Sequence, residues 1–150
     1  MKKIIFFLSA VFVIAGSPTV GFGADPTPLE ACRHTGLHRP GAALFCVTLV
    51  QQYEELTADK ISACEQDTDF WDALDYCFTA ATSKYVTKEK ITACSETTTL
   101  KSSFEKCLDG AGYYAVSADD LRSCHYAVFY KDCIDKLTSG GSSGGGGGTH

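Results

Sequence analysis

No two cysteines of this 150-residue chain stand close enough to form a Cys-x-x-Cys pair, the spacing typical of zinc, iron–sulfur and thiol-redox sites. Gly-x-Ser-x-Gly, His-Glu-x-x-His and the Gly-rich phosphate loop are missing too, so no common signature of a hydrolase, metalloprotease or nucleotide-binding enzyme is present. Histidine is scarce, with His34, His38, His125 and His150 the four in the chain. Basic residues are outnumbered, 13 against 18 acidic, for a net charge of −5. That balance argues against nucleic acid or an anionic membrane surface as partner, since both call for a basic patch. The acidic residues are scattered singly and in pairs, as on a solvated surface. Long apolar runs are also lacking. The longest, Ile4 to Ile14 with Ser9 inside it, falls well short of the roughly 20 residues that span a bilayer.

That short run sits where an export signal would place it. Lys2 and Lys3 precede it, and the small, turn-prone stretch AGSPTVGFGA follows. Residues 1–24 therefore read as a secretory signal peptide, with the mature chain beginning near Ala24 or Asp25 and destined for the periplasm or the extracellular space. Without Lys2 and Lys3, 11 basic residues face 18 acidic ones, and the mature charge is about −7. At the other end, residues 139–150 are glycine- and serine-rich and read as a flexible tail or linker, because such residues bury too little to offset their ordering entropy. Residues 25–138 remain as one small domain.

The cysteines that are present carry the architecture. All eight, Cys32, Cys46, Cys64, Cys77, Cys94, Cys107, Cys124 and Cys133, fall inside 25–138. An even count in a small exported protein implies a disulfide framework. The first cysteine of each pair stands at 32, 64, 94 and 124, led by LEAC, ISAC, ITAC and LRSC. Thr57, Thr87 and Ser117 precede three of these as N-cap residues, with acidic residues in the turn that follows. Around the second cysteines, apolar residues recur. Phe70, Leu100 and Tyr126 stand seven before, and Ala43, Leu74, Phe104 and Tyr130 three before. Val47, Phe78, Leu108 and Ile134 stand one after. These places share one face of a helix. The expectation is an all-α fold, a small disulfide-stapled array of helical hairpins in about four repeats of about 30 residues. Asp67 or Thr68, and Thr97 or Thr98, are the expected caps of the second helices. The helix of the first repeat is expected to start at Arg39–Pro40.

Hairpin geometry favours pairing within each unit: Cys32–Cys46, Cys64–Cys77, Cys94–Cys107 and Cys124–Cys133. The rival scheme joins neighbouring units, as in Cys77–Cys94 and Cys107–Cys124. The last intra-unit pair needs a break near His125 to Val128, since nine residues along one helix would place Cys124 and Cys133 on opposite sides.

Few residues invite chemistry. His34 and His38 with Cys32 and Cys46 have the makings of a zinc shell, but Gly36 and Pro40 interrupt a helix there, and export favours oxidised cysteines. Asp67, Asp69 and Asp72 lack the glycine and distal glutamate of a calcium loop. Neither a metal nor a cofactor is assigned, and no catalytic residue. Tyr113, Tyr114 and Phe129, in an aromatic-rich stretch with Tyr126 and Tyr130, are the candidate contacts for a protein or peptide partner. The function expected is a non-catalytic binding or structural module of the cell envelope or extracellular space. The alternative is a small secreted effector or enzyme with a loop site, metal-binding in one version, around His34 and His38.

Overall fold

The structure, a computed structural model, describes residues 25–36, 39–67, 71–127 and 129–139. Eight helices make up its regular structure, and no strand occurs among the described residues. They are α1 (Pro28–Gly36), α2 (Pro40–Gln52), α3 (Ala58–Asp67), α4 (Leu74–Ala81), α5 (Lys88–Thr97), α6 (Lys101–Ala111), α7 (Ala118–Ser123) and α8 (Tyr130–Ser139). A 3-10 turn at Trp71–Ala73 leads into α4, and another at Cys124–Tyr126 follows α7.

Local chemistry sets where the helices begin. Thr87 accepts from the backbone N–H of Lys90, and Ser117 and Asp120 form a reciprocal capping box. Pro40 holds the first turn of α2, with Arg39 in the N-cap place. A further capping box, apparent in the sequence only as Thr27-Pro28-Leu29-Glu30, opens α1. Thr27 N donates to Glu30 Oε2 at 2.8 Å, and Glu30 N donates to Thr27 Oγ1 at 3.3 Å.

The second helices start later than the apolar pattern suggests. Thr97 and Thr98 do not cap α6. Their hydroxyls donate back to Ala93 O at 2.7 Å and Cys94 O at 2.8 Å, which closes the end of α5. Leu100 is the extended N-cap residue of α6 and is 62% exposed. The place seven before the cysteine thus lies outside the helix, and its periodicity does not bind Leu100. Phe70 and Thr68 lie outside the described residues. The remaining places behave as a packed face: Leu74, Phe78, Phe104, Leu108 and Ile134 are buried, while Ala43, Val47 and Tyr130 are partly so.

The helices form two layers. α1, α3, α5 and α7 lie side by side, and α2, α4, α6 and α8 pack along them. Each first-layer helix, or for α7 the 3-10 turn that follows it, is stapled to the second layer by a disulfide: Cys32–Cys46, Cys64–Cys77, Cys94–Cys107 and Cys124–Cys133, with Cα separations of 5.5 to 5.7 Å. The pairing is the one expected within hairpins. The Cys124–Cys133 bridge is reached through a break, in which α7 gives way to the 3-10 turn and Ala127 is extended. Ile61, Ile91 and Leu121, thirty residues apart, are wholly buried between the layers. Gly110 lets α6 and α8 approach closely, since a Cβ there would lie 2.8 Å from Ile134 Cγ2.

Candidate functional site

Three short turns join successive helix pairs: 53–57 before α3, 82–87 before α5 and 112–117 before α7. They share a plan. The N–H of Leu56, Val86 or Val116 donates to the carbonyl of Tyr53, Ser83 or Tyr113 at 3.2 to 3.3 Å, and the apolar side chain is buried beneath the turn. What remains outside is aromatic. Tyr53, Tyr85, Tyr113 and Tyr114 are 45%, 42%, 51% and 81% exposed.

Two buried lysines hold the second and third of these turns in place. Lys60, in the first turn of α3, donates through Nζ to Ala81 O at 3.1 Å and Ser83 O at 2.9 Å. Lys90, thirty residues on in α5, donates to Tyr85 O, Ala111 O and Tyr113 O at 2.9, 3.0 and 3.1 Å. Each ammonium thus satisfies carbonyls at the C-terminus of the facing helix, where the helix dipole favours positive charge. Burial lowers the pKa of both lysines. Because both clamps draw turns and helix ends together, the three turns lie along one edge of the array. The rings of Tyr85 and Tyr114 meet at 6.3 Å, and Lys84 Nζ stands 5.0 Å from the Tyr85 centroid, a cation on an aromatic face.

The edge is also acidic. Glu54, Glu55, Asp59, Glu89 and Asp119 are exposed in the turns and first helical turns, against exposed Lys84 and Lys88. Beside it a groove of about 320 Å³ opens between α4 and α6. Ala80 and the Tyr76 ring give it apolar walls, buried Val86 and Leu108 lie beneath, and Asp109 stands at its side. The Tyr76 hydroxyl donates to Asp109 Oδ1. That bond, followed by partial burial, raises the Tyr76 pKa to about 12.

Phe129 lies elsewhere. It lines a larger hollow of about 470 Å³ with Leu100 and Ser103 at the start of α6, whereas Tyr113 and Tyr114 follow the end of that helix. The 11 residues of α6 make it about 16 Å long, so the three aromatic candidates divide between two ends of the fold. In the Phe129 hollow the polar groups bond to one another. The Thr97 and Tyr130 hydroxyls are 2.9 Å apart, and His125 Nδ1 is 3.3 Å from Thr97 O. Phe129 and Leu100, 69% and 62% exposed, form its apolar rim.

Cys32 and Cys46 are bonded to each other, which removes both as thiolate ligands. His34 Nδ1 lies 3.2 Å from Glu65 Oε1, joining α1 to α3, and His38 lies outside the described residues. Among the described residues, no group of three or more ligating side chains is placed to hold a metal ion. Asp72 pairs with Lys101 Nζ at 2.8 Å, which lowers its pKa, and Asp69 lies outside the described residues.

Lys60 and Lys90 have a sequence signal of their own, a lysine four residues before the cysteine of ISAC and of ITAC. Tyr53, Tyr76 and Tyr85 have none, since a tyrosine in a turn or on a helix reads equally as core or surface. No helix among the described residues is long and apolar enough to cross a membrane, and the four bridges fit an oxidising or extracellular compartment. Compared with family models, curated proteins and solved structures, the chain matches none.

Proposed function

We propose that this chain is an exported binding module, a disulfide-stapled helical repeat array without a catalytic centre that presents its tyrosine edge to a protein partner in the cell envelope or outside the cell. One observation carries this reading above the others: four tyrosines stand exposed on three consecutive turns, each turn held from beneath by a buried apolar residue. Tyrosine offers a large contact area at little cost in side-chain entropy, and a rigid mount keeps that cost low. Helical arrays commonly offer such extended surfaces. Export rests on the signal-like layout of residues 1–24, and the bridges let a small core persist where thiols are oxidised. Of the proposed contacts, Tyr113 and Tyr114 belong to this edge, while Phe129 serves a separate, secondary contact at the far end.

The reading is tested by selecting a random peptide library displayed on phage against the oxidised chain. Enriched peptides are expected to lose binding to a Tyr85→Ser/Tyr114→Ser variant of unchanged circular dichroism. Peptides that bind both proteins equally, or no enrichment at all, would remove the tyrosine edge as the functional surface.

A further inference from the structure

The groove between α4 and α6 lies beside the tyrosine edge and differs from it in kind. Ala80 and the Tyr76 ring give it apolar walls over a floor of buried Val86 and Leu108, and a carboxylate, Asp109, stands at its side. Asp109 Oδ1 accepts the Tyr76 hydroxyl, which fixes the carboxylate in position. Among the described residues no Lys, Arg or His nitrogen lies within ion-pair distance of Asp109; Lys106, three residues back on α6, feels its charge but pairs with Asp135 at 2.6 Å. The edge beside it is acidic on balance, since Glu54, Glu55, Asp59, Glu89 and Asp119 are exposed there against Lys84, Lys88 and Arg122, the last paired with Asp119 at 3.2 Å. A tyrosine here already takes a cation on its face, with Lys84 Nζ 5.0 Å from the Tyr85 centroid.

Resting on the edge as the binding surface, we infer that this groove is an anchor site for one lysine or arginine side chain of the partner, with Asp109 as its counter-ion. The size fits. At about 320 Å³ the groove lies at the lower bound of small-molecule sites and suits a single long side chain. The chemistry fits as well. A lysine or arginine carries an apolar stem with a charged head, so the stem lies along the Tyr76 ring and Ala80 while the head reaches the carboxylate and open water. The partner segment then runs along Tyr85 and Tyr114, where the rings supply contact area and cation–π attraction to its further basic residues. The acidic edge steers such a segment inward and selects against acidic ones.

The peptides enriched on the oxidised chain provide the probe. They are expected to share a lysine or arginine at a fixed place. Synthetic copies with that residue acetylated, or replaced by citrulline, should bind at least tenfold more weakly. Asp109→Asn, which keeps an acceptor for Tyr76, should weaken the unmodified peptides about tenfold. Thr79→Trp, an exposed position lining the groove, should block the anchor without changing the charge. If the peptides need Tyr85 and Tyr114 but ignore both Asp109→Asn and acetylation, the anchor is wrong and the edge stands. If they ignore the tyrosines as well, or none is enriched, both ideas fall. Spermidine binding to the groove as tightly as the peptides would reassign it to a small cation and overturn the peptide anchor.

Discussion

Replacing Lys90 with methionine isolates the clamp that holds the tyrosine edge. Methionine keeps the length and most of the volume, so packing changes little. What is lost is three charge-assisted hydrogen bonds, to Tyr85 O, Ala111 O and Tyr113 O. What is recovered is the desolvation cost of an ammonium only 7% exposed, the same cost that lowers its pKa. The two terms are of similar size, so the outcome turns on the carbonyls left behind. Ala111 is fully buried, and an orphaned buried acceptor costs about 1–3 kcal/mol. Tyr85 and Tyr113 lie on exposed turns where water can replace the lysine, at a few tenths of a kcal/mol each. A net loss of about 2 kcal/mol is therefore expected, equivalent to roughly 8 °C in Tm for a domain of this size. Lys60→Met gives up two carbonyls instead of three and should cost less. The measurement is urea unfolding followed by far-ultraviolet circular dichroism, without reductant so that the bridges persist, with a midpoint shift at constant slope. A Lys90→Met protein as stable as the parent, or more so, would refute the clamp, because it would mean that desolvation outweighs the bonds.

Two further outcomes test the packing and the groove. Gly110→Ala gains about 1 kcal/mol of helix propensity but places a methyl 2.8 Å from Ile134 Cγ2, so α6 and α8 must separate. A net loss of about 1 kcal/mol in thermal unfolding is expected, and a stabilised variant would show that the two helices have room to spare. Spectrophotometric titration should find one tyrosine ionising near pH 12, because the Tyr76 hydroxyl is held by Asp109. Its folded pKa lies above the unfolded value of about 10, so the stability it lends is whole below pH 10 and is lost as pH rises through about 12. In Asp109→Ala, which removes the acceptor, that late step should move back toward the other tyrosines, and a step that stays would place the late tyrosine elsewhere.

The cysteine spacing by itself determined a large part of this protein. Steps of about thirty residues with a helix-start signal before three of the four first cysteines leave few folds other than stacked helical hairpins, and the short span within each pair makes the hairpin bridge the nearest to close. The break before α8 was also legible, because Cys124 and Cys133 could not otherwise meet. Helix boundaries were less so. Leu100 matches an apolar register, yet two threonine hydroxyls bonding backward end α5 and leave Leu100 outside the next helix, and such local competition has no periodic signature. The candidate site was legible only in part. Tyr113 and Tyr114 stood out as adjacent aromatics, but nothing in the chain order separates them from Phe129 by the length of α6, or brings Tyr85 to 6.3 Å from Tyr114. Those relations depend on how the hairpins stack, and stacking is settled by side-chain packing between residues thirty positions apart. Only the tertiary structure could place Lys60 and Lys90 under the turns, because most of the carbonyls they satisfy belong to the end of the facing helix and the turn that follows it, more than twenty residues away.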